Sequence, residues 1–232
     1  KLYDKGLLYK GYTIQPYSPA AGTGLSSHEL NMPGAYKEVK DTTVVALFKV
    51  IKNDQSSFLF DDPNEDVRIA AWTTTPWTLP SNTALCAGPD ISYIKIKTSN
   101  PYTHTPVSVV LAEALVPNWF GGKNQSTVEG QSAAFKGSKM KGIRYEPLLD
   151  FGNEIEPLLG GTDAYLVLTG DHVTTSDGTG IVHTAPSFGA DDQRVAKANG
   201  VGTLTLVDQT GKFKENVGPY SGRYVKDYKD EP

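Results

Sequence analysis

Two short segments of this chain gather the side chains that can do chemistry on a small polar ligand. The first is AWTTTPWTLPSN, Ala71 to Asn82. It begins as a strand, breaks at Pro76 and is closed by Pro80, with Thr73, Thr74, Thr75, Thr78, Ser81 and Asn82 placed where the strand ends. These neutral side chains offer hydrogen-bond donors and acceptors together. Threonine is also a good strand residue, and a run of three is ordinary on a sheet. Trp72 and Trp77, two of the three tryptophans, add large apolar rings beside the hydroxyls, as in the lining of a small-molecule pocket.

The second segment is SDGTGIVHTAPSFGADDQRVAKANG, Ser176 to Gly200. A turn leads into a short strand ending near His183, then a loop through Pro186 and Gly189, then a helix. Asp191 and Asp192 fall in the helix's first turn, where unpaired amides and the helix dipole favour a carboxylate. One of the two is expected simply to cap the helix. A carboxylate held ionised there could also receive an ammonium group. His183 stands at a strand end before a Pro-Gly loop, so a pocket role and a satisfied structural role both remain open. A third feature, KGSKMKGIRY, places Lys136, Lys139, Lys141 and Arg144 close together among glycines. Such a loop could touch a phosphate backbone, or be a solvated turn.

Other chemistries fail on spacing. AGTGLSS has Ser27 where a third glycine belongs, and neither it nor GTGIVH contains the Lys-Ser/Thr pair of a P-loop. HELNM puts Met32 where the second histidine of a zinc-protease helix must stand. No G-x-S-x-G pentapeptide offers a nucleophilic serine on a strained turn.

The elements that must position these groups are short strands. The chain has 232 residues, with 23 glycines and 15 prolines dispersed along it. That is about 16% against an average of about 12%, and implies many turns. β-Branched and aromatic runs predict strands over Thr42–Ile51, Val67–Thr74, Ser92–Thr98, Val107–Ala112, Asp163–Gly170, Gly180–Ala185 and Gly202–Asp208. Ser92–Thr98 alternates, with Tyr93, Lys95 and Lys97 on one face and Ile94 and Ile96 on the other. Lys52–Asp66 reads as a polar, turn-rich excursion and Thr98–Pro106 as a hairpin loop. Helices are few: Ala112–Phe120, which Pro117 would cut, and Gly189–Gly200 with Gly200 as its stop. The expected class is mostly β with a few helices (α+β), closing into a barrel or packed sheets.

A chain of this length can bury a core without disulfides or metal. The lone Cys86 excludes an internal disulfide and a cysteine-cluster zinc site. No stretch approaches the ~18 apolar residues of a membrane span. A net charge of −4 argues against a domain whose main task is gripping phosphates, though not against a site that receives one nucleic-acid end.

WTTTPWTLPSN followed about a hundred residues later by GTGIVHTAPSFGADD resembles the editing insertion of the isoleucyl-tRNA synthetase family. LYDKGLLYKGY and GRYVKDYKD resemble its exits to and from the synthetic domain. The resemblance implies a single barrel-like editing domain over residues 1–232, with 1–40 and 215–232 as flanking segments, in a cytoplasmic enzyme. Related valyl and leucyl enzymes carry a TTRP-type sequence where this chain has Thr-Pro-Trp. The PYSPAAGTGLSSHE stretch lacks the cysteines of the zinc half-site many members carry, so no metal is expected. The HIGH and KMSKS signatures are absent, so ATP and Mg chemistry belongs to a synthetic domain outside this segment. No cofactor is expected here, nor tRNA charging by the fragment alone.

The function implied is hydrolysis of valine from mischarged tRNA(Ile), with valyl-adenylate as a lesser substrate. A hydrophobic pocket gains only ~1–3 kcal/mol from one methylene; this enzyme family is the usual illustration, at roughly 150-fold for isoleucine over valine. A second site must therefore remove what the first admits. By resemblance, Asp192 would pair with the α-ammonium and His183 would exclude isoleucine. Thr73, Thr74 and Thr75 would bind the terminal adenosine and ester, Thr75 ordering the attacking water. Trp77, Thr78 and Asn82 would shape the wall. Partners implied are the tRNA 3′ end and the rest of the synthetase in cis. The competing reading is a non-catalytic β module that docks a tRNA acceptor end or a protein through the Lys136–Arg144 loop.

Overall fold

Most runs of β-branched and aromatic residues form strands, because neighbouring elements cover them on one or both faces. The computed structural model describes residues 1–8, 13–18, 20–122, 126–158 and 161–226. Its strands are β1 (Tyr17–Ser18), β2 (Thr23–Gly24), β3 (Val44–Lys49), β4 (Val67–Thr73), β5 (Ala84–Ala87) and β6 (Ser92–Ser99). They continue with β7 (Pro106–Ala112), β8 (Gly130–Gln131), β9 (Phe135–Lys136), β10 (Leu166–Thr169) and β11 (Ile181–Thr184). The α-helices are α1 (Ser27–Leu30), α2 (Val116–Trp119) and α3 (Ala190–Ala198). Residues 9–12, 19 and 227–232 of the two flanking segments lie outside the described residues. Among the described residues no helix is long and apolar enough to cross a membrane.

Strand β4 organises the sheet. On one side it pairs antiparallel with β3 from Val44↔Thr73 to Lys49↔Arg68. On the other it pairs parallel with β7 at its start and with β11 at Val182↔Trp72 near its end. β11 runs antiparallel to β5, and β5 parallel to β10. The ring then closes through one segment, bridging Leu166 with Arg144 and Tyr145 with Val50. The Val167 amide donates to Ile143 C=O at 2.8 Å and the Ile51 amide to Arg144 C=O at 2.9 Å. β3, β4, β11, β5, β10 and the Arg144–Tyr145 segment thus form a barrel, which removes the open edges these strands would otherwise expose.

The period of two sorts the side chains. Phe48, Ile69, Leu85, Tyr145, Val167 and Ile181 fill one core cluster and are 2% exposed or less. On the opposite face of β5 and β10, Ala84, Cys86 and Leu168 pack against Val195 and Ala196 of α3. β6 and β7 form the expected hairpin, from Tyr93↔Ala112 to Ser99↔Pro106, with the loop between.

Several sequence expectations need correction. Gly202–Asp208 makes no continuous strand, because its backbone is divided among partners. Thr203 bridges Glu156, the Leu204 carbonyl accepts from the Ser187 hydroxyl, and the Leu206 carbonyl accepts from the Lys214 amide. Strand β5 was not anticipated: Ala-Leu-Cys-Ala lacks β-branched residues, yet it is wholly buried between two strands. Pro117 does not cut a helix. It sits in the first turn of α2, where its missing N–H costs nothing, after a 3-10 turn over Glu113–Leu115. β6 alternates as expected, and its Lys95 is 1% exposed and reaches Asp61 and Glu65 of the polar excursion.

Candidate active site

The barrel rim carries the threonine segment. β4 stops at Thr73, and Pro76 opens a 3-10 helix over Pro76–Ser81, with a proline at its start where φ is already suitable. The Thr75 amide donates to Thr73 Oγ1 at 3.1 Å, and Thr78 Oγ1 donates back to the Thr75 carbonyl at 2.9 Å. These bonds hold the hydroxyls in a compact turn. Thr73 Oγ1 lies 3.3 Å from Thr75 Oγ1, and Thr75 Oγ1 3.5 Å from Thr78 Oγ1.

His183 is brought to this turn by the β11–β5 register, which sets it opposite Leu85 on the interior face. Asn82 Nδ2 donates to Ala84 C=O at 2.8 Å, which identifies it as the amide nitrogen, and lies 2.8 Å from His183 Nδ1. His183 Nδ1 is therefore an acceptor. The proton sits on Nε2, which donates to Thr78 Oγ1 at 2.9 Å. Burial pushes the imidazole down to about 4, so it is neutral near pH 7. With both ring nitrogens engaged, His183 forms a fixed wall and has no free nitrogen with which to take a proton from water.

Asp192 comes from the first turn of α3. Its Oδ2 accepts from the Ala185 amide at 3.0 Å, tying the helix to the loop after β11. Burial raises its carboxyl above the ordinary range, outweighing that amide and the nearby His172. Burial thus works against the helix start, which favours the carboxylate. Asp191 is the plainer acid, exposed and paired with Arg194 at 3.0 Å.

Thr73, Thr74, Thr75, Trp77, Thr78, His183 and Asp192 all line one cavity of about 910 Å³. The two motif segments, far apart in sequence, therefore meet. Trp77 packs edge-on to Phe188 with ring centroids 5.0 Å apart. Asn82 is buried behind the wall and acts through His183. Sequence reasoning missed part of the enclosure: Ile14, Tyr17, Ser187, Phe188, Val207 and Gln209 also line it. The Tyr17 hydroxyl donates to the Gln209 carbonyl. Ser187 and Phe188 lie within the second motif segment, whereas the other four carry no local signal and are revealed only by long-range packing.

The basic loop is elsewhere, and none of its four cations lines the cavity. Lys136 donates to the Asp90 carbonyl, Lys139 lies over the Phe58 ring and Arg144 forms a two-bond pair with Asp163. Lys141 is exposed. Among the described residues no three His, Cys, Asp or Glu side chains converge as a metal site.

No family model matches the chain. It is 51% identical over 237 residues to the isoleucine–tRNA ligase of Porphyromonas gingivalis, covering 97% of this chain and 20% of that one. It is 49% identical over 243 residues to the same ligase of Bacteroides fragilis, covering 100% and 20%. The chain thus spans about a fifth of the length of these relatives. The solved structure of GlLeuRS-CP1 is similar in fold, with a TM-score of 0.53 at 18% identity, over 67% of this chain and 59% of that one. With near-half identity along its whole length and the expected mostly-β fold, the chain belongs to the isoleucine–tRNA ligase family.

Proposed function

We propose that the cavity edits: it hydrolyses the ester joining valine to the 3′ end of tRNA(Ile). The observation that carries this reading is the shared cavity, with strand-end hydroxyls, the Asp192 carboxylate and neutral His183 all on its walls. An arriving α-ammonium favours the ionised form of Asp192 and forms a charge-assisted pair with it, selecting an aminoacyl ester over a bare nucleotide end. Isoleucine, one methylene larger than valine, is refused by the His183 wall.

A water held by Thr75 attacks the ester carbonyl carbon. A new C–O bond forms, the bond to the ribose oxygen breaks, and the water's proton ends on that oxygen. Valine and tRNA leave. The site supplies position and aligned dipoles rather than a strong base, consistent with the engagement of both His183 nitrogens. Residues 1–40 and 215–232 lead to the synthetic domain of a cytoplasmic ligase. ATP and Mg serve the ligation there, not this cavity. The Lys136–Arg144 loop contributes phosphate contacts away from the ester.

The test is to incubate the chain with valyl-tRNA(Ile) and isoleucyl-tRNA(Ile) and follow ester loss. Selective release of valine is the expected result. Binding of tRNA with both esters retained would establish the non-catalytic alternative instead.

A further inference from the structure

A buried hydrogen-bond chain at the site starts on a residue that does not line the cavity. Tyr145, 1% exposed, closes the barrel through its backbone and packs edge-on to Phe48 at 5.1 Å. Its hydroxyl donates to Asn82 Oδ1 at 2.7 Å, an atom that can only accept. The direction then holds along the chain. Asn82 donates to His183 Nδ1, His183 Nε2 donates to Thr78 Oγ1, and Thr78 donates to the Thr75 carbonyl. Thr78 has no second proton to offer Thr75 Oγ1. The Thr75 hydroxyl is thus free to direct its own proton toward Thr78, which leaves a lone pair for a hydrogen of the attacking water.

We propose that Tyr145 is a positioning residue that sets the proton polarity of this chain: its hydroxyl anchors the Asn82 amide, the amide selects the His183 tautomer, and the tautomer orients Thr78 and Thr75. Burial holds the phenol well above its usual range, so it remains a donor throughout the working pH range. The catalytic consequence rests on the deacylation reading; the tautomer does not.

Tyr145→Phe removes one oxygen and keeps the ring packing. Tyr165→Phe is the matched control, since the Tyr165 hydroxyl is buried without a hydrogen-bond partner and its ring lies 6.2 Å from that of Tyr145. The first readout is the ¹⁵N spectrum of the His183 imidazole in the whole chain, without substrate. The wild type is expected to show a single neutral tautomer protonated on Nε2. Tyr145→Phe is expected to show averaging between the two nitrogens, and Tyr165→Phe the wild-type pattern. Deacylation of valyl-tRNA should fall about tenfold in Tyr145→Phe alone, the usual scale for orphaning one buried partner. A proton on Nδ1 in the wild type, unchanged shifts in Tyr145→Phe, or equal shifts in both variants would overturn the proposal. A tautomer change without loss of deacylation would overturn its link to Thr75. A wild-type chain that cleaves neither ester would overturn the proposed function, while the imidazole spectra still decide on Tyr145.

Discussion

Gly189 and Asp192 are fitted to each other: a Cβ built on Gly189 would stand 2.6 Å from Asp192 Oδ2 and 2.7 Å from its Cγ. Gly189 has φ −107°, which any residue can adopt, so close approach rather than backbone freedom demands glycine there. Gly189→Ala must push the carboxylate aside. Valyl-tRNA deacylation should drop by roughly tenfold or more, with stability changed by only ~1 kcal/mol. A variant with wild-type kcat/KM would show that the carboxylate's position is immaterial.

Asp192→Asn keeps the shape and an oxygen for the Ala185 amide but removes the charge. Loss of one charge-assisted contact should lower kcat/KM roughly 10²-fold. The pH profile gives a separate check. The raised carboxyl of the free protein places the acid limb of kcat/KM above the ordinary carboxylate value of 3.8. Bound ammonium favours the ionised form, so the limb in kcat should lie at lower pH. Coincident limbs would mean that no ammonium reaches Asp192.

His183→Ala enlarges the cavity at a wall held by two hydrogen bonds. Isoleucyl-tRNA should then be cleaved, measured as release of isoleucine by the variant. Continued refusal would place the size filter on another wall, such as Trp77.

His183 also predicts a stability profile. Its pKa is 6.5 in the unfolded chain and about 4 when folded. The unfolded state binds the extra proton between those values, so stability is fully present above about 6.5 and is lost as pH falls toward 4. The loss is of order 3 kcal/mol. Urea midpoints across this window should slope for the wild type and flatten in His183→Gln.

Lys95 tests the fold apart from the site. Its ammonium lies 2.8 Å from Glu65 and 3.0 Å from Asp61, and Glu65 also accepts from Ser108. Lys95→Met strands Glu65 without its cation, costing about 3–5 kcal/mol by the usual scale for breaking a buried pair. Because Lys95 is not part of the main cavity, the preference for valine over isoleucine should survive in the folded fraction, measured by deacylation below the melting transition.

Much of this protein was legible from residue types alone. Six of the seven predicted strands appear within a few residues of their expected ends, because β-branched runs and period-two burial are local properties. Helix α3 was equally legible from its acids, Lys197 and Gly200. The motif threonines, His183 and Asp192 could be named because their side-chain chemistry is visible without coordinates. Their meeting could not be read there. It depends on β11 pairing with both β4 and β5, a long-range register that leaves no local signature. The same holds for β5, whose small side chains are strand-like only between two neighbours, and for Tyr145, whose hydroxyl gains meaning from an amide 63 residues away. The carboxyl of Asp192 makes the point most directly. Helix position favours its carboxylate, and only the packed structure, by withdrawing water, adds the burial that raises its pKa.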